Sequence, residues 1–202
     1  MEADRVTIEV PVGSPTVGSL YLCRAEAQAI LSVMGTVNAR LFDTPNVTKI
    51  LELMCRGPTY ARRFDTPQLS PSAVQAARLE ARAGERIRYR HSQLFFRDYV
   101  LLEAKNWYRP DCLTPEMNRL LEETDTPFET VVGPLLSRRR TLDTKLLWPP
   151  LSVLSIDHPT ELPREVLERR ALFTTCDNRP FAEIRERYRV DLVEAMKAGA
   201  HM

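Results

Sequence analysis

The chain has 202 residues, 44% of them hydrophobic, enough to bury one sizeable core, so a single domain spanning residues 1–202 is expected. Its 28 basic and 27 acidic residues nearly cancel to a formal +1, which argues against the uniformly basic surface of a nucleic-acid binder. Cys23, Cys55, Cys112 and Cys176 form no CxxC pair and have only three histidines for company, and no apolar run reaches the roughly 18 residues that cross a bilayer, so neither a metal site, a disulfide framework nor a membrane span is expected and the location reads as cytoplasmic.

Residues 6–12, VTIEVPV, alternate like a strand, and Ser19 opens a helical stretch with apolar positions at 20, 23, 27, 30, 31 and 34 that Gly35 ends. Residues 47–56, VTKILELMCR, alternate again and predict a strand, followed by a proline-bearing loop over 57–71. Ser72 to Ala83 is rich in helix formers and stops at Gly84. Residues 85–96 and 99–108 predict a hairpin turning at Arg97-Asp98. Thr114-Pro115-Glu116 and Thr126-Pro127-Phe128-Glu129 each start a short helix, the pair crossing from one side of the sheet to the other. A strand over 138–147 precedes a proline-rich loop at 149–163 that is long enough for a lid, and a final hairpin joins 165–175 to 180–190. Adjacent antiparallel pairs with helices between them indicate an α+β class built on one antiparallel sheet.

Generic signatures are absent: there is no GxGxxG, Walker loop, GxSxG elbow or HExxH. What remains is a set of charged groups on strands. In NRPFAEIRERYR, 178–189, one face carries Phe181, Glu183, Arg185, Arg187 and Arg189 and belongs in water, while the other carries Ala182, Ile184, Glu186, Tyr188 and Val190 and belongs against a core. A carboxylate on the apolar face is either a general acid or base with a raised pKa, or an ion pair with a neighbouring arginine such as Arg169 or Arg170. Arg86, Arg88 and Arg90 share one face of a strand, and read either as solvated charges or as a grip on a small organic acid. Arg138 to Arg140 form a second such run. Lysine stands only at 49, 105, 145 and 197, leaving 24 arginines, a skew that codon usage explains as readily as a demand for guanidinium.

Four stretches in order resemble the chorismate lyases, most closely the mycobacterial-type branch that forms 4-hydroxybenzoate: GTVNARLF at 35–42, the arginine-bearing hairpin RYRHSQLFF with YVLLEAKNWYRPDCL at 88–113, LLEETDTPFETVV at 120–132, and DNRPFAEIRERY at 177–188. The resemblance covers about residues 20–190. It implies a six-stranded antiparallel sheet with helices and loops over a buried ligand cavity, and a lyase that cleaves chorismate to 4-hydroxybenzoate and pyruvate without any cofactor. It also implies that Glu186 is catalytic, handling proton transfer at the oxygen end of the ring. The substrate-binding residues would be Arg88 or Arg90, gripping carboxylate, with the Phe128 amide, Val37 and Arg140. Arg185, Glu129 and the RHSQL run depart from the family pattern and bear on substrate identity. Two alternatives stay open: a same-fold enzyme acting on another small aromatic or enol-ether acid, and an effector-binding domain like that of GntR-type regulators. The expected partner is a small carboxylate-bearing substrate, chorismate on the resemblance, with no nucleic acid or membrane, and monomer and dimer are both left open.

Overall fold

The computed structural model describes residues 20–22, 24–42, 44, 46–135, 138–148 and 160–200; the expected strand at 6–12 and most of the 149–163 loop lie outside them. In chain order the elements are β1 (Leu20–Leu22), α1 (Arg24–Leu41), α2 (Val47–Cys55), β2 (Tyr60–Phe64), α3 (Ala73–Arg78), β3 (Arg88–Phe96) and β4 (Tyr99–Tyr108). After these come α4 (Pro115–Glu123), α5 (Phe128–Val132), β5 (Arg138–Leu146), β6 (Thr160–Leu162), β7 (Glu165–Thr174), β8 (Pro180–Arg189) and α6 (Asp191–Ala200). Six strands form one antiparallel sheet in the order β2-β3-β4-β8-β7-β5, and β1 pairs separately with β6. The class is the α+β architecture expected from the sequence. Among the described residues no helix is long and apolar enough to cross a membrane.

Two hairpins make the centre of the sheet. β3 and β4 turn at Arg97, which takes φ 51°, and β7 and β8 turn near Asn178, at φ 60°. They join through β4 and β8, where Ala104 stands opposite Glu186 and Asn106 opposite Ile184. One face of the sheet is covered by α1, α2 and α6 over Leu94, Leu102, Leu167 and Tyr188, and further along by α4 and α5 over Tyr108, Phe173, Ala182 and Ile184. α4 and α5 thus sit on the same face instead of crossing the sheet.

Several elements differ from expectation for identifiable reasons. Residues 47–55 are a helix and not a strand: Asn46 caps the Lys49 amide, and Val47, Leu51, Met54 and Cys55 form a buried stripe at helical spacing. α1 runs through Gly35 to Leu41 because Met34, Val37 and Leu41 continue its buried stripe, which outweighs the roughly 1 kcal/mol that one glycine costs. α3 carries a capping box between Ser72 and Gln75 but stops early, since Glu80 takes φ 52°. β2 lies inside the expected 57–71 loop, and α6 adds a helix that periodicity missed. The supposed water-facing side of β8 is partly covered: Glu183 is buried and bonded to Arg78, with Leu79 packed beside Tyr89, Trp107 and Leu172, while Phe181, at a register shift of β8, packs against Phe173 in the cluster under α4 and α5.

Two glycines test this packing with opposite signs. A Cβ at Gly199 on α6 would overlap the backbone carbonyl of Cys55 at the end of α2, so Gly199→Ala should force these helices apart and cost about 1–3 kcal/mol of stability. A Cβ at Gly35 meets nothing within 4 Å, so Gly35→Ala should stabilise by about 0.5–1 kcal/mol through helix propensity alone. Thermal unfolding followed by circular dichroism separates the two; a stabilised Gly199→Ala would mean that the α2–α6 contact is loose.

Candidate functional site

On the covered face, Glu186 of β8 is held by Arg139 of β5, two strands away. The Arg139 Nη2 donates to Glu186 Oε2 at 2.6 Å and its Nη1 donates to Glu129 Oε1 at 2.5 Å. The Tyr188 hydroxyl donates to the same Glu186 oxygen at 2.8 Å, and Glu129 Oε2 accepts from the Val47 amide at 2.7 Å, tying α5 to the start of α2. All four side chains are buried. Arg169, the cross-strand neighbour of Glu186 on β7, donates instead to the Leu41 carbonyl at 2.8 Å and to Thr141. Glu186 therefore has an ion pair, as one of its two readings required, but with Arg139 in place of Arg169 or Arg170.

Two carboxylates sharing one guanidinium in a dry setting compete for its charge. Burial, opposed by Arg139 and reinforced by Glu186, pushes the Glu129 carboxyl up to about 7. Burial and then Glu186 hold the Tyr188 hydroxyl well above its ordinary value, so it stays a donor. Burial works against charge on Arg139, but Glu186 and Glu129 overcome it and raise its pKa.

Between 4.5 and about 7 the folded chain holds the Glu129 proton more tightly than the unfolded chain does. The stability from that proton is complete below 4.5 and lost as pH rises through about 7. Thermal midpoints should fall with rising pH across that window, and the slope should flatten in Glu129→Gln; equal slopes would remove Glu129 as the titrating group.

A second polar group lies beside the first. Arg90 of β3 is 4% exposed and donates through Nη2 to the Thr124 and Thr126 carbonyls at 3.0 and 2.8 Å, while its Nε and Nη1 have no partner among the described residues. Its cross-strand neighbour Asn106 is fully buried, and neither atom of its side-chain amide has a partner there either. Burial brings the Arg90 pKa down to about 10. Unpartnered buried polar groups cost about 1–3 kcal/mol each, and a ligand or ordered water at this face would supply the partners.

The space at these groups comes in two parts. A cavity of about 40 Å³ is lined by Val47, Leu94, Asn106, Phe128, Ile184 and Glu186. Water needs about 10–15 Å³ of such space, so this volume suits water and falls short of an aromatic acid unless α2 and α5 separate. A wider basin of about 250 Å³ opens beside β3, lined by Arg63, Arg86, Arg88, Arg90 and Tyr108.

The residues singled out from the sequence are distributed unevenly. Glu186 and Phe128 line the inner cavity, and Arg88 and Arg90 line the basin, with Arg88 paired to Glu122. Val37 is fully buried in the first core cluster and does not line the cavity. Arg140 is exposed and belongs to the opposite face; the inward member of its run is Arg139, because Arg139 stands opposite Phe173 on β7. Arg139, Glu129 and Asn106 went unmarked as site residues. Asn106 had a readable signal, a lone amide in register with Ala104 and Tyr108, whereas the choice within Arg138–Arg140 needed the pairing of β5 with β7.

No family model matches the chain. The uncharacterized protein y4mC of Sinorhizobium fredii (strain NBRC 101917 / NGR234) is 33% identical to it over 184 residues, covering 83% of this chain and 76% of that protein. Among solved structures, the effector domain of PhnF from Mycobacterium smegmatis superposes with a TM-score of 0.51 at 14% identity, covering 71% of this chain and 88% of that one. A GntR-family transcriptional regulator from Enterococcus faecalis V583 gives a TM-score of 0.45 at 12% identity, covering 64% and 92%. The PhnF likeness is one of fold.

Proposed function

The chain belongs to the same family as the y4mC protein of Sinorhizobium fredii, and we propose that it is a binding domain for a small organic anion, which it holds without transforming. The observation that carries this reading is the Arg90–Asn106 pair, buried and short of partners in a fold shared with the effector domain of PhnF. A guanidinium kept dry with its Nε and Nη1 unpartnered has donors left for the oxygens of an anion. Glu186, by contrast, already has its Oε2 taken by Arg139 and Tyr188.

The reading is tested by adding benzoate, 4-hydroxybenzoate and aliphatic carboxylates to the purified chain and following its thermal midpoint. A bound acid at 100 times its Kd should add about 2.7 kcal/mol of stability, and no shift with any carboxylate would overturn the assignment.

A second reading, chorismate cleavage, draws on one specific feature: Glu186 lines the same cavity as Phe128. Under it the ring ether bond breaks, pyruvate leaves, the ring loses a proton to become 4-hydroxybenzoate, and Glu186 carries the proton transfer. Incubation with chorismate should then yield both products in equal amounts, with loss of turnover in Glu186→Gln. Absence of products from folded protein removes the lyase reading and leaves the binding one.

A further inference from the structure

We propose that the basin beside β3 is a phosphate-binding site, fitted to the phosphate monoester of a small organic molecule. The inference rests on the reading above in one respect, since Arg90 serves both.

The basin exists because β2 is short. β2 ends at Phe64, opposite His91, while β3 extends three residues further to Arg88. The backbone edge left bare is closed at one point by the Gln68 side chain, which accepts from the Tyr89 amide at 2.9 Å and donates to the Tyr89 carbonyl at 3.2 Å. Between this clasp and α4 lies the hollow, with guanidinium groups on Arg63, Arg86, Arg88 and Arg90 around the buried ring of Tyr108.

The local charges are not balanced. Glu122 is taken by Arg88, and Asp125 accepts from the Arg63 amide at 2.7 Å. With Asp65 these make three carboxylates against four guanidinium groups. Three buried guanidinium nitrogens, Arg88 Nε and Arg90 Nε and Nη1, have no partner among the described residues. Solvated surface arginines would not leave buried donors unused. Arg86, Arg88 and Arg90 all act on the Tyr108 hydroxyl, and Arg63 adds to the pressure against charge on Arg90, which places the four groups within electrostatic reach of one another.

A carboxylate brings one charge and two oxygens, which a single bidentate guanidinium satisfies. A phosphate monoester brings up to two charges and three terminal oxygens, and arginine clusters match it bidentately from several sides. The 250 Å³ of space exceeds what the phosphate group alone would fill, leaving room for an organic portion against Tyr108 and Leu121.

The test compares phenyl phosphate, inorganic phosphate and benzoate by calorimetry on the full chain and on Arg86→Gln. Arg86 is exposed, so its loss leaves the fold intact. Phenyl phosphate should bind at least about tenfold more tightly than benzoate. Arg86→Gln should weaken phenyl phosphate about tenfold and benzoate less than about twofold, as expected for one charged hydrogen-bonding partner. Inorganic phosphate binding as tightly as phenyl phosphate, with the same dependence on Arg86, supports the site with free phosphate as its occupant. Benzoate binding as well as phenyl phosphate, or indifference of phenyl phosphate to Arg86→Gln, overturns the basin assignment alone. Phenyl phosphate binding without any carboxylate binding overturns the carboxylate reading alone, and binding of neither overturns both.

Discussion

Arg139→Met should lower the free energy of unfolding by about 3–5 kcal/mol. Among the described residues Arg139 is the one cation bonded to both Glu129 and Glu186, and its removal leaves two carboxylates facing each other in a dry space, each able to recover only by taking up a proton. For a chain of this size the loss corresponds to roughly 6–20 °C in thermal midpoint. The deficit should grow with rising pH, because protonation is what relieves the unpaired pair. Replacing all three partners with apolar residues of similar volume should return most of the stability, since a whole buried ionic group can be exchanged for packing at little cost. Urea and thermal midpoints of the single and triple variants decide it; a single variant within about 1 °C of the parent would mean that Arg139 is not holding these charges.

Arg90→Met is expected to move two readouts in opposite directions. Ligand affinity should fall by about 2–5 kcal/mol, roughly 30-fold to several thousand-fold, because the buried cation that meets the anion is gone. Stability should hold or rise, because methionine removes a dry guanidinium that has two unpartnered nitrogens, at the cost of two bonds to the Thr124 and Thr126 carbonyls. Calorimetric titration with benzoate and unfolding without ligand measure the two effects separately. A variant that unfolds more easily and binds equally well would make Arg90 a structural clamp on the α4–α5 turn.

The same contrast runs through what could be read in advance. The hairpins 88–108 and 165–189 were legible because alternation and turn residues are local, and local parity also put Glu186 on the covered face. α2 was misread because a short apolar run fits either period; the Asn46 cap and the stripe of Val47, Leu51 and Met54 settle it as a helix. Parity placed Arg88 and Arg90 together but offered no ranking, whereas in the structure Arg88 takes Glu122 and Arg90 keeps free donors.

By itself, then, the sequence determined the two hairpins, the α+β class and the inward direction of Glu186, all consequences of side-chain alternation along one segment. Only the tertiary structure decided that Arg139 and not Arg140 faces inward, that it reaches Glu186 across β7, that Glu129 bridges α5 to α2, and that the inner cavity is small. Those facts depend on strand order and on which helices close over the sheet, and such contacts join residues as much as 82 positions apart whose mutual distance no local periodicity encodes.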